Sequence, residues 1–138
     1  MGQIVSCFAL IAGQLGVTEG RLMKLSDRQF QFAKDVILLM TFCAVNNVKI
    51  TLGEAFRTEY QHKEYQRIEY TFATRSKHQD RLAIDLNMWS GDKVMWTMTP
   101  AEQKAAFQHV GDYWESIRPG NKWGGNWHWI DATHFEAS

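Results

Sequence analysis

Two histidines and two carboxylates from well-separated stretches are the residues whose types and spacing can do chemistry. His78 and Asp85 lie within Ser76-Lys77-His78-Gln79-Asp80-Arg81-Leu82-Ala83-Ile84-Asp85, and Asp131 and His134 lie within Asp131-Ala132-Thr133-His134-Phe135-Glu136. Two imidazoles and a carboxylate are the donors of a catalytic zinc site, which keeps one position open, whereas a closed structural site more often uses cysteines. Here His78, Asp85 and His134 would be the ligands. Asp131, three residues before the last of them, would be free to act as a general base and to pass the proton to a leaving amine. Arg57, just past a candidate strand, could balance charge developing on a carbonyl oxygen.

Plainer readings stand beside these. A histidine before a strand is more often structural or exposed, and Asp85 could instead pair with Arg75 or Arg81. Arg57 on its own reads first as a surface ion pair. His128, three residues before Asp131, is a rival third ligand, while His62 and His109 read as surface or helix-face residues. Tryptophans are more often core than substrate platform, but Gly124-Gly125 between Trp123 and Trp127 suggests an open, shaped loop. Trp123 and Trp127 are therefore candidate substrate contacts.

The elements that must position these residues follow from pattern. Leu82, Ile84, Leu86 and Met88 alternate with Ala83, Asp85 and Asn87, which predicts a strand with the first set facing the core and Asp85 on the opposite face. A carboxylate there needs a cation or strong donors if it is desolvated. Ser26 with Gln29 reads as a capping box opening a helix. Behind it, two apolar series at helical spacing (Phe30, Ala33, Ile37, Met40, Ala44 and Phe32, Val36, Leu39, Cys43) predict a largely buried helix that Asn46-Asn47 ends. Val48 to Leu52 reads as a half-buried strand closed by Gly53, and 59–69 as helix or loop. Ser90-Gly91-Asp92 reads as a turn into a returning strand, Lys93 to Thr97. Thr99-Pro100-Ala101-Glu102 is a strong helix start, and Asp131 to Glu136 is short enough for a last strand or turn.

At 138 residues the chain suits one compact α+β domain, mainly antiparallel sheet with flanking helices, large enough to bury a core unaided. Its 15 basic and 15 acidic residues balance, which argues against a nucleic-acid groove. Cys7 and Cys43 fit no metal spacing and read as buried free thiols of a reducing compartment ahead of a disulfide. Residues 1–24 form an N-terminal apolar segment before a domain over 25–138. The run Ile4 to Val17 is short for a membrane span and lacks the basic start of a good secretory signal. A helix packed on the domain or a weak export or membrane-associating segment fits it, and the opening Met-Gly-Gln-Ile-Val-Ser also satisfies the loose myristoylation pattern.

Ser76-x-His78 followed by Ala83-x-Asp85 resembles the Ser-x-His-(x)6-Asp signature of the D-alanyl-D-alanine carboxypeptidase family of zinc peptidases. That family includes phage endolysins that are L-alanyl-D-glutamate peptidases, and the D-Ala-D-Ala dipeptidases. Trp123-Gly124-Gly125-Asn126-Trp127, then Asp131-x-x-His134-Phe135-Glu136, resembles the closing motif of the L-alanyl-D-glutamate branch. Thr51-Leu52-Gly53-Glu54-Ala55-Phe56-Arg57-Thr58 resembles its upstream strand and arginine. The resemblance spans about Leu25 to Glu136 and implies a hedgehog-like zinc site. It implies Zn2+ on His78, Asp85 and His134, Asp131 as catalytic carboxylate, Arg57 as substrate and transition-state arginine, and Ser76 beside the ligands or the substrate. The implied reaction is hydrolysis of a peptidoglycan stem peptide, at L-Ala-D-Glu ahead of D-Ala-D-Ala. Two alternatives are a non-catalytic zinc-containing wall-binding or virion protein on this fold, and a domain with no metal. Expected with it are a monomer made in a host cytoplasm and acting on the wall, reached through a membrane-permeabilising partner or the N-terminal segment. Two positions depart from the pattern: Arg81 stands where the family often has glycine, and Asp131 where many members have glutamate.

Overall fold

The computed structural model describes residues 22–138, so the N-terminal apolar segment and Cys7 lie, through residue 21, outside the described residues. Helix α1 (Leu25–Val45) starts one residue before the expected cap: Lys24 occupies the N-cap and makes no side-chain cap bond. The Ser26–Gln29 box does not form, because the Gln29 amide donates instead to the Asp80 carbonyl at 2.8 Å. That bond ties α1 to the loop that carries His78. Of the two apolar series on α1, one is core: Phe32, Leu39 and Cys43 are buried, while Phe30 and Ile37 are 67% and 62% exposed. The helix meets the rest of the domain along a single stripe, so it is not the largely buried helix that the two series predict. No helix among the described residues is long and apolar enough to cross a membrane.

Five short strands form an antiparallel sheet of order β1-β2-β5-β4, with β3 paired to β2. They are β1 (Ile50–Leu52), β2 (Ala83–Ser90), β3 (Lys93–Val94), β4 (Lys122–Trp123) and β5 (His134–Glu136). The alternation predicted for β2 holds: Leu82, Leu86 and Met88 are fully buried and Ile84 nearly so, which leaves Asp85, Asn87 and Trp89 on the other face. Within 59–69, which the sequence allows as helix or loop, lies helix α2 (Glu59–Arg67), whose N-cap Thr58 accepts from the Gln61 N–H. The returning strand is shorter than expected. After Val94 the chain curls into a 3-10 turn, Met95–Thr97, that buries Met95 and sets its sulfur 3.2 Å from the Met88 N–H. Helix α3 (Pro100–Ile117) begins on the Thr99–Glu102 capping box read from the sequence.

The core lies between the sheet and helices α1 and α3, around Trp114, Trp123, Phe107, Phe135 and Leu39. Trp123 sits in a slot made by two glycines, since a Cβ on Gly111 or Gly125 would fall 2.0 or 2.2 Å from its indole. It is fully buried, and its indole N–H donates to the Ala132 carbonyl at 2.9 Å. Trp123 is therefore no substrate contact. Asp35, also buried, accepts from the Arg118 guanidinium and the Gln31 amide at 3.0 and 2.9 Å, pinning the end of α3 to α1.

Candidate metal centre and active site

Three segments converge at the end of β2. Antiparallel pairing of β2 with β5 sets Asp85 directly opposite His134. His78 comes from the 3-10 turn Lys77–Asp80, which a capping box holds. In that box the Ser76 hydroxyl accepts from the His78 N–H at 3.3 Å, and the Gln79 side chain accepts from the Ser76 N–H at 2.8 Å. Ser76 thus orients the turn that presents His78. Arg81 ends the turn in the left-handed region, at φ 54° and ψ 39°, with its guanidinium 3.9 Å from the Phe56 ring centroid. A left-handed residue is where glycine is favoured, so Arg81 carries a backbone cost at the position where the motif often has glycine. Gly53 packs under the site, because a Cβ there would lie 3.0 Å from that of Asp85.

The potential ligating atoms form a nearly equilateral triangle. His78 Nε2 and His134 Nδ1 are 3.2 Å apart, His134 Nδ1 and Asp85 Oδ1 3.2 Å, and His78 Nε2 and Asp85 Oδ1 3.3 Å. A tetrahedral ion with bonds of about 2.0 Å has ligands about 3.3 Å apart. The donor set and its spacing therefore fit zinc, with one tetrahedral position left beyond the three. Among the described residues this is the group able to hold a metal, and His128 is not in it. Its remaining edge contacts are polar as well. The other nitrogen of His134, Nε2, lies 3.0 Å from Glu136 Oε2, the kind of partner that fixes the tautomer of a ligating histidine. His78 Nδ1 is buried without a partner.

The charges are those of a concentrated acidic pocket. Burial acts to raise the Asp85 carboxyl, but the hydrogen bonds from His134 and His78 outweigh it and hold it down at about 2. Burial likewise acts to lower His134, and Asp85 and Glu136 outweigh it, pushing the imidazole up to about 9. Asp131 adds to that field. Its own place is set by Gly124, whose carbonyl accepts the N–H groups of both Asp131 and Trp127 at 3.0 and 3.1 Å. A Cβ on Gly124 would fall 2.3 Å from the Asp131 carbonyl oxygen. Asp131 is exposed and accepts from the Thr133 hydroxyl at 2.7 Å. Trp127, 37% exposed, sets its ring 5.0 Å from that of His134 and borders the site.

Arg57 is buried behind the triangle, and its guanidinium makes a forked ion pair with Glu54. Burial would lower its pKa, yet Glu54 raises it, so the charge is secure. Its N–H donates to the His78 carbonyl at 3.2 Å, and its guanidinium lies 4.8 Å from the Tyr65 ring centroid. Sequence reasoning missed three participants. Glu54 Oε2 lies 3.8 Å from His78 Nε2, and Glu136 partners His134. Tyr70 is largely exposed, yet loss of solvent around its hydroxyl and the negative field of Asp131 and Asp85 raise its phenol. Glu136 was the legible one, since two residues after His134 on a strand it shares that face. His62, read as a surface or helix-face residue, is buried instead and binds the Ala73 carbonyl through Nε2 at 3.1 Å.

The profile of the D-alanyl-D-alanine carboxypeptidase family matches residues 71–137, a span holding His78, Asp85, Asp131 and His134. The matched span is just under half of the chain. A crystal structure of the Serratia marcescens L-Ala D-Glu endopeptidase ChiX resembles this fold with a TM-score of 0.60 at 18% identity, covering 90% of this chain and 94% of that one. The match supports the α+β fold expected from the peptidase family. No match was found among curated proteins.

Proposed function

We propose that this protein is a zinc-dependent peptidase that hydrolyses an amide bond in the peptidoglycan stem, the L-alanyl-D-glutamate bond first. The observation that carries the reading is the 3.2–3.3 Å triangle of His78, Asp85 and His134 with Asp131 on the loop leading into β5. Zinc held there would lower the pKa of a bound water to about 7 and polarise the scissile carbonyl. Asp131, exposed and accepting from the Thr133 hydroxyl, would take the proton of the attacking water at its carboxylate and pass it to the departing amine. Glu136 keeps the His134 proton on Nε2, so that Nδ1 presents a lone pair to the centre. Arg57 supplies fixed positive charge behind His78, partly neutralised by Glu54, and stabilises oxygen charge at the carbonyl through the field it retains. Trp127 and Tyr70 border the site where the substrate peptide would lie.

The name of the structural neighbour favours the L-Ala-D-Glu bond, and the description of the family favours terminal D-alanine removal as the second reading. Mass spectrometry of digested peptidoglycan separates them. The first releases fragments with a new D-glutamyl amino terminus; free D-alanine would support the second instead. The biological setting proposed with this activity is an endolysin-like protein working as a monomer on the wall, admitted by a membrane-permeabilising partner.

A further inference from the structure

The face of β2 that carries Asp85 continues past it to Asn87 and Trp89, since alternate residues share a face. Asn87 donates to the Thr51 hydroxyl at 3.2 Å across the β1–β2 pair, so this stretch of the face is polar. Beyond it the character changes. The Trp89 and Trp96 rings meet edge to face at 5.8 Å, and the Lys49 ammonium lies 4.8 Å from the Trp89 ring centroid. Trp96 is 60% exposed although the adjacent Met95 is fully in the core. An indole held outward by a buried neighbour and braced by a second indole, which itself carries a cation, is a rigid amphipathic surface of low entropy cost to bind.

We propose that Trp89, Trp96 and Lys49 form a saccharide platform that holds the amino-sugar end of a peptidoglycan strand while its stem peptide crosses Asp85. This rests on the peptidase reading and extends it to the glycan part of the substrate. Pyranose rings present C–H groups that pack on indole, and their hydroxyl and acetamido oxygens accept from an ammonium. Trp89 lies four residues along the strand from Asp85, about 13 Å at the usual rise. The first amide bond after the sugar-linked alanine is about one residue, roughly 3.6 Å, plus the lactyl ether from the sugar, on the order of 10 Å in all. A terminal D-Ala-D-Ala bond lies several residues further away. The platform is thus spaced for cleavage near the glycan.

Isothermal titration with peptide-free N-acetylglucosamine–N-acetylmuramic acid oligosaccharides tests the platform without requiring turnover. The unmodified protein should bind, Trp96→Ala should weaken binding about tenfold, and Trp96→Phe should restore part of it. For hydrolysis, Trp96→Ala should lower the ratio of kcat/KM on intact wall to that on a sugar-free stem peptide by a similar factor. No saccharide binding by the unmodified protein overturns the proposal. So does binding that Trp96→Ala leaves intact while lowering Tm, because the indole pair would then be structural. Saccharide binding through Trp96 by a protein that cleaves nothing would support the platform and contradict the peptidase reading alone.

Discussion

Asp85 on β2 and His134 on β5 are cross-strand partners whose potential ligating atoms stand 3.2 Å apart. The sheet itself therefore sets one edge of the candidate metal triangle, and His78 closes it from a separate turn. Zinc would cross-link β2, β5 and that turn. Zinc at about 100 times its Kd adds about 2.7 kcal/mol, on the order of 10 °C for a domain of this size. Calorimetry with and without chelator should show this drop in Tm, and His134→Ala should abolish the difference. Equal Tm values in protein proven to have lost its metal would argue against the site.

The pH dependence has a definite sign. In the metal-free protein His134 is raised from 6.5 to about 9. The stability it contributes is fully present below about 6.5 and is lost as pH rises through about 9. Zinc needs the neutral ring, so below about 9 binding expels a proton and affinity climbs with pH. The Tm gap between zinc-loaded and chelated protein should therefore widen from pH 6 to pH 9. A gap that narrows over that interval would contradict this assignment of His134.

Arg81 tests a local conflict between backbone and side chain. Its left-handed backbone costs about 1–2 kcal/mol for a residue with a Cβ, while its guanidinium on Phe56 returns about 0.5–1 kcal/mol. Arg81→Ala keeps the cost and loses the gain; Arg81→Gly removes both. Denaturant titration should find Arg81→Gly more stable than Arg81→Ala by about 1 kcal/mol. The reverse order would mean that the turn does not hold this conformation.

Asp35 makes the strongest structural prediction. Asp35→Ala leaves the Arg118 guanidinium and the Asn121 amide without their buried acceptor. Breaking a buried pair costs about 3–5 kcal/mol, and the loss here should fall at the lower end because the Arg118 side chain is 35% exposed and can turn to water. Zinc affinity should be unchanged in the folded variant. A loss under about 1 kcal/mol by urea titration would show the pair to be dispensable.

The fold class and the candidate ligand residues were legible in the sequence, while several details of the frame were not. His78, Asp85, Asp131 and His134 stood out because their chemistry is explicit in residue type, and the alternation of β2 told which way Asp85 points. The capping box at Thr99 was legible because every bond in it is local. Ser26 misled for the opposite reason: Gln29 could cap its own helix or reach Asp80, and only the tertiary fold decides between them. The exposure of Phe30 and Ile37 depends on where α3 lies, which periodicity on α1 does not encode. Glu54 was hidden because its ion pair with Arg57 looks like any surface pair until His78 packs beside it.

The most direct measurement is the release of new amino termini from purified peptidoglycan by protein of known zinc content. Zinc-loaded protein should release them. Asp131→Ala should retain about one zinc and lose activity by about 10²–10⁴-fold, the usual worth of a positioned acid–base group. Release that survives complete zinc removal, or that Asp131→Ala leaves unchanged, would contradict a zinc peptidase built on these residues.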